Sequence, residues 1–92
     1  MRVFITGGTG FIGSRVTKEL QRRKHIAHLL KARLANTKAV ETELKKFNPD
    51  VVIHLAWEGL PDVGPAMSAR NRVNGLKFFK LVEKLSIPKL IA

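Results

Sequence analysis

At 92 residues the chain has the length of one domain rather than two, and a domain this small has a thin core, burying only somewhat more than ~60% of the surface its unfolded chain exposes. A hydrophobic share of 45% and a charged share of 26% exclude a disordered or membrane composition, and the lack of Cys excludes a disulfide framework, a thiolate nucleophile and a Cys-based zinc site. Seventeen Lys and Arg against seven Asp and Glu give a net charge of +10, which points to an anionic partner, phosphate being the simplest; with no Tyr, a mechanism built on a phenolic acid or base is also excluded.

Val3-Phe4-Ile5-Thr6 is a β-branched and aromatic run that stops at Gly7, as a buried strand does on meeting a tight turn. From Phe11 to Arg23 the apolar residues Ile12, Val16 and Leu20 fall four apart, with Arg15, Lys18, Glu19, Arg22 and Arg23 opposite, which predicts an amphipathic helix. Ile26 to Leu30 reads as a second strand. A helix is predicted from Asn36 or Thr37 to Phe47 on the spacing of Val40, Leu44 and Phe47, closed by Asn48-Pro49. Val51-Val52-Ile53-His54-Leu55 is the clearest strand, and a Gly/Pro loop from Glu58 to Pro65 follows it. Ala66 to Leu85 reads as a long helix with Leu76, Phe79, Val82 and Leu85 on one side, and Lys89-Leu90-Ile91-Ala92 begins a strand that looks cut.

Single apolar strands alternating with helices call for right-handed crossovers and a parallel sheet. The expected fold is therefore α/β, a parallel sheet of about four strands with three helices, as one partial domain over residues 1–92. The N-terminus reaches Gly7-Gly8 too soon for a signal-peptide core, and no apolar run approaches the ~20 residues of a membrane span, so no membrane is expected and the cytoplasm is the simplest address. A sheet that stops at Ala92 is expected to leave an apolar edge and to self-associate through it.

The strongest signal for function is Thr6-Gly7-Gly8-Thr9-Gly10-Phe11-Ile12-Gly13, which follows the first strand and opens the first helix. In such a turn Gly7 makes the tight bend, Gly10 lets a pyrophosphate approach the backbone, and Gly13 allows close helix-to-strand packing. A helix N-terminus adds unpaired N–H groups and about half a positive charge. Gly7, Gly10, Phe11, Ile12 and Gly13 are thus candidate cofactor-binding residues; the competing reading is a tight β-α turn and nothing more. There is no Gly-Lys-Ser or Gly-Lys-Thr ending, which disfavours a P-loop nucleotidase. Lys31 and Arg33 stand where an NAD-specific site places a carboxylate, and no Asp or Glu occurs between Glu19 and Glu41, so NADP is favoured, with NAD as the alternative. His54 reads as a satisfied core histidine, and neither it nor His25 and His28 makes a metal site.

These motifs, with Asn48-Pro49-Asp50-Val51-Val52-Ile53-His54-Leu55-Ala56 and Val73-Asn74-Gly75, resemble the extended short-chain dehydrogenase/reductases, the NAD-dependent epimerase/dehydratases. The resemblance covers nearly the whole chain and implies the N-terminal part of a Rossmann domain, with the substrate domain absent. It implies a dinucleotide cofactor, and a nucleotide-sugar substrate if a full-length protein exists. It also places Leu55, Ala56 and Trp57 near the nicotinamide, although Trp57 would serve equally as a lid on the core. The family's catalytic Tyr-x-x-x-Lys and its Ser or Thr would lie beyond Ala92, so no catalytic residue is assigned and the chain is expected to be silent by itself. Two further departures concern the interior. The helix and third strand expected between the second strand and Val51 are missing, with Ala32-Arg33-Leu34 as the remnant of that strand's end, and Arg72 occupies a place where the family commonly has Asn. Two other readings remain: a non-enzymatic basic module binding nucleotides or nucleic acid through Lys18, Arg22, Arg23, Lys24, Lys31 and Arg33, disfavoured because no aromatic ring other than His interleaves these residues, and a relic without function.

Overall fold

A β-branched and aromatic run with no polar residue between Val3 and Ile5 belongs where both faces are covered, and β1 (Arg2–Thr6) is the buried strand of a four-stranded parallel sheet. The structure, a computed structural model, describes residues 1–8, 10–56 and 64–91, apart from the side chain of residue 67. After β1 come α1 (Phe11–Arg22), β2 (Ile26–Leu29), α2 (Thr37–Phe47), β3 (Val51–His54), α3 (Pro65–Lys84) and β4 (Lys89–Ile91). The predicted α/β fold of four parallel strands and three helices is the one observed, with ends that shift by a residue or so.

The strand order is β2-β1-β3-β4, and β1 sits in register with Ile26–Leu29 on one side and Val51–His54 on the other. The chain therefore steps one way from β1 to β2 and then back across β1 to β3. Right-handed crossovers in opposite directions put α1 on one face and α2 and α3 on the other. The α2/α3 face holds Phe4, Val40, Leu44, Val52, Phe78, Leu81 and Val82; the α1 face holds Val3, Ile5 and Val51, with Leu20, Ala27, Leu29 and Ile53 against them.

Two helices match the apolar spacing only in part: Leu20 of α1 and Phe79 and Val82 of α3 pack on the core as expected, but Ile12 and Leu76 do not. In α1 the residues turned to the sheet are Gly13 and Thr17, while Ile12 is exposed. Gly13 is there because only a residue without a side chain fits against the glycine turn, and Thr17 is tolerated because its hydroxyl donates to the Gly13 carbonyl at 2.8 Å. In α3 the buried ridge runs through Asn71, Asn74, Gly75, Phe78, Leu81 and Val82, so Leu76 lies outside it and is exposed.

The short connection from β2 to α2 contains no strand; Ala32 and Leu34 fold down as partly buried cover on the α2/α3 core. Glu43 of α2 holds the connection. Its Oε1 accepts the Lys31 N–H at 2.9 Å and pairs with His28 Nε2 at 3.0 Å, and its Oε2 accepts the Ala32 N–H at 2.7 Å. Burial pushes the Glu43 carboxyl up, but the hydrogen bonds from Lys31, His28 and Ala32 outweigh it and hold the group below its ordinary value. At the far end of α2, Asn48 stops the helix in the left-handed region at φ 52°, and Asp50 then accepts the Arg2 N–H at 2.9 Å, which fixes the start of β3 beside β1.

Candidate functional site

Open α/β sheets bind ligands outside the carboxyl ends of their strands, at the point where strand order reverses. Here that point lies between β1 and β3, and the glycine turn leaves β1 directly into it. Gly7 has φ +73°, and a Cβ there would come within 2.7 Å of the Ala56 nitrogen and the Leu55 carbonyl carbon. A Cβ on Gly13 would fall on the Gly7 carbonyl and lie 2.8 Å from the Gly8 Cα. Gly10 differs from both. Its backbone is extended, with φ −73° and ψ 175°, and among the described residues a Cβ would meet nothing nearer than the Gly7 oxygen at 3.4 Å. Gly7 and Gly13 are thus required by the protein's own packing, whereas a Cβ on Gly10 would make only an ordinary contact with the described residues.

The start of α1 is equally open. The first helical bond runs from Ser14 N–H to Gly10 O at 2.8 Å, so the amides of Phe11, Ile12 and Gly13 precede it. Gly10 brings no side chain to cap them, and the first turn has no acidic residue. Phe11 and Ile12 stand 75% and 64% exposed beside these amides, and the Arg15 guanidinium lies 4.6 Å from the centre of the Phe11 ring. The arrangement is a positive helix end with an apolar shoulder, suited to an anion joined to a ring system.

Thr6 and His54 fix the floor. The buried Thr6 Oγ1 accepts the N–H groups of Leu55 and Ala56, each at 3.2 Å, which uses both lone pairs, so its proton goes to His54 Nδ1 at 2.6 Å. This pattern assigns the neutral tautomer with its proton on Nε2. The imidazole stacks on Phe78 at 5.1 Å and meets the edge of Phe79 at 5.3 Å, and burial holds its pKa below the ordinary 6.5. His54 is a core histidine paired through Nδ1, in keeping with its place on a buried strand. It also lines a cavity of about 780 Å³, together with Leu55, Ala56, Asn71, Arg72 and Phe79. Replacing Thr6 by Val would leave the Ala56 amide and His54 Nδ1 without this partner. We expect a loss of about 1–3 kcal/mol, seen as a melting temperature lower by ~4–8 °C per kcal/mol. The parent should also lose stability as pH falls below 6.5, where the unfolded chain takes up a proton that the folded His54 resists. Melting curves recorded across that range check both.

A second cavity, of about 460 Å³, opens at the β2 side and is lined by Arg33, Ala35, Asn36, Arg70 and Asn74. The structure thus brings Gly7, Gly10, Phe11, Ile12, Gly13, Leu55 and Ala56 together at the reversal point and sets Arg33 to one side of it. Lys31 does not line that cavity; its side chain is exposed and its backbone is held by Glu43. Trp57 lies outside the described residues. One premise for excluding a carboxylate from the end of β2 is corrected here, since Glu43 reaches it from α2, although its oxygens turn to the loop amides and His28 and it does not line the cavity. Arg70 and Asn74 were not expected at the site. Their one-turn spacing shows a shared helix flank, but only the strand order puts that flank opposite Arg33.

Part of the basic surface is already engaged. Glu19 bridges Arg22 at 2.7 Å and Arg23 at 2.8 Å, and these bonds lower its pKa to about 2. Glu41 pairs with Lys45 and Lys84 in the same way, at 3.1 and 3.2 Å.

A doubly wound parallel sheet, reversing at β1 with a glycine turn at the reversal, defines a Rossmann-like α/β chain. The chain belongs to the NAD dependent epimerase/dehydratase family, whose model matches residues 3–75. It is 35% identical over 72 residues to methionine adenosyltransferase 2 subunit beta of Danio rerio, a match covering 67% of this chain and 22% of that protein. Its fold is similar to that of the UDP-glucose 4-epimerase of Thermus thermophilus in complex with NAD, with a TM-score of 0.87 at 24% identity over 98% of this chain and 36% of the other. A GDP-L-fucose synthetase from Naegleria fowleri bound to NADP gives a TM-score of 0.80 at 21% identity over 98% and 29%. The chain therefore spans about a third or less of the length of each.

Proposed function

We propose that the chain binds a nicotinamide dinucleotide, NADP in preference to NAD, as the cofactor-binding portion of an epimerase, dehydratase or reductase acting on a nucleotide-sugar in the cytoplasm. One observation carries this reading: of the three fingerprint glycines, Gly10 alone has room for a side chain against the described residues, at a helix N-terminus to which it brings no capping side chain. A pyrophosphate fills that room and takes the first amides of the helix. The family and the NAD- and NADP-bound relatives support the cofactor, and the nucleotide-sugar enzymes among them support the substrate class.

With the pyrophosphate on the turn, the dinucleotide has a cavity on either side of it. The nicotinamide end lies toward Leu55 and Ala56 after β3, and the adenosine end toward Arg33 after β2. Bound there, a nicotinamide supplies hydride transfer. The residues of this chain hold and orient it: Phe11 and Ile12 cover one side, and the Thr6 hydroxyl keeps the Leu55 and Ala56 backbone at the end of β3 in place. The 92 residues contain no Tyr to give or take a proton at a sugar, and a positioned acid or base typically supplies ~10² to 10⁴ in rate. Trp57, the single Trp, gives the test. Titration with NADPH is expected to quench its fluorescence with saturation while the chain turns over no nucleotide-sugar. Steady turnover by the purified chain would contradict the silence, and unchanged fluorescence together with no heat of binding would contradict the cofactor reading.

A further inference from the structure

The cavity of about 780 Å³ at the carboxyl end of β3 has α3 as its second wall. Ser68, Arg72, Leu76 and Phe79 recur about once per turn on one flank of that helix and share the cavity with Leu55 and Ala56. Among the described residues lining it, most are apolar and Arg72 alone is charged at neutral pH, since burial holds His54 neutral. No hydrogen bond or ion pair engages the Arg72 guanidinium among the described residues. A second donor belongs to the same cavity. The Thr6 hydroxyl takes up Nδ1 of His54, which leaves the ring proton on Nε2, and Nε2 has no acceptor among the described residues. Gly75 of α3 passes beside it without a side chain; a Cβ there would come to 3.7 Å from Nε2. An unpaired arginine is ordinary on an outer surface, but on the wall of an apolar cavity it selects what enters. A neutral pyranose offers it single hydroxyls, whereas a carboxylate offers two oxygens that match both its charge and its planar fork.

Resting on the dinucleotide reading above, we infer that the sugar presented to the nicotinamide carries a carboxylate, as a uronic acid does, with Arg72 as its counter-ion and the His54 Nε2–H donating to an oxygen of the same sugar. Leu76 and Phe79 give the faces of the sugar ring an apolar wall. The diphosphate of a nucleotide-sugar is the other anion such a substrate brings. It joins the sugar to the nucleoside, however, and the sugar is the part that must reach Leu55 and Ala56, in the cavity that Arg72 lines.

The test is calorimetric titration of the NADPH-loaded 92-residue chain with UDP-glucuronate, UDP-glucose and UDP, in the parent, Arg72→Gln and Lys18→Gln. The parent is expected to bind UDP-glucuronate about tenfold or more tightly than UDP-glucose, and the imidazole resonances of His54 should shift with either sugar but not with UDP. Arg72 is exposed, so its replacement leaves the fold intact. Arg72→Gln should bring the two sugars within about twofold of each other while leaving UDP-glucose and NADPH where they were. Arg72→Lys, which keeps the charge without the fork, should retain only part of the preference. Lys18→Gln removes the same charge from the outer face of α1 and should leave the preference whole, which separates a contact from the general pull of a chain at +10 on the more anionic ligand. A preference that survives Arg72→Gln, or that falls as far in Lys18→Gln, overturns the assignment. Equal weakening of all three ligands by Arg72→Gln puts Arg72 on the diphosphate and overturns it as well. An NADPH-loaded parent that binds neither sugar, or both equally, overturns it and leaves dinucleotide binding standing, whereas failure to bind NADPH overturns both.

Discussion

A Gly10→Val chain is expected to fold and to lose its dinucleotide. The φ and ψ of Gly10 are open to any residue, and among the described residues its Cβ would meet only the Gly7 oxygen at 3.4 Å. The cost to the folded state is that of a poorer helix cap, at most about 1 kcal/mol, or a melting temperature lower by ~4–8 °C. The valine methyls, however, take the space over the first amides of α1, where the pyrophosphate must sit. Loss of those contacts should weaken NADP and NAD alike by ~100-fold or more, because neither cofactor can be held away from the turn. Circular dichroism melts and calorimetric titration report the two effects separately. Equal affinity in the parent and the variant would remove the pyrophosphate from this turn.

Gly13→Val should have the opposite signature. The new side chain would land on the Gly7 carbonyl and 2.8 Å from the Gly8 Cα, all backbone atoms of a turn that is itself packed on Leu55 and Ala56. No flexible side chain is available to yield, so α1 must lift from the sheet and uncover Val3, Ile5 and Val51. Overpacking with this loss of contact is worth several kcal/mol, against a total stability of ~5–15 kcal/mol for a domain and less for one this small. The variant is expected to be unfolded at room temperature by circular dichroism, and a cooperative melt near that of the parent would contradict the packing described for α1. The pair of variants separates a glycine needed by the fold from one needed by the ligand.

Much of this architecture is legible in the residues. β-branched runs at Val3–Ile5 and Val51–Ile53 can only be buried strands, Asn36 and Asn48-Pro49 bracket α2, and glycines between a strand and a helix leave little freedom for that turn. The helix faces are less legible, because periodicity weighs apolar side chains and gives no weight to a residue such as Gly13 that is buried for lacking one. The same blindness affects α3, where Asn71 and Asn74 take inward positions that an apolar count assigns to Leu76. The cavity beside Arg33 is the least legible part. Arg33 and Arg70 line one cavity only because the chain crosses back over β1, and Glu43 reaches the end of β2 from a helix further along the chain, so neither arrangement is encoded in local spacing.

The central claim is that a dinucleotide lies across the β1/β3 reversal with its pyrophosphate on the glycine turn. Titration of the isotopically labelled chain with NADP, followed by amide chemical shifts, tests it most directly. The largest shifts are expected at Gly10, Phe11, Ile12 and Gly13, with Leu55 and Ala56 following on one side and Arg33 and Asn74 on the other. Shifts confined to the basic outer face of α1, at Lys18, Arg22 and Arg23, with the turn unmoved, would contradict it.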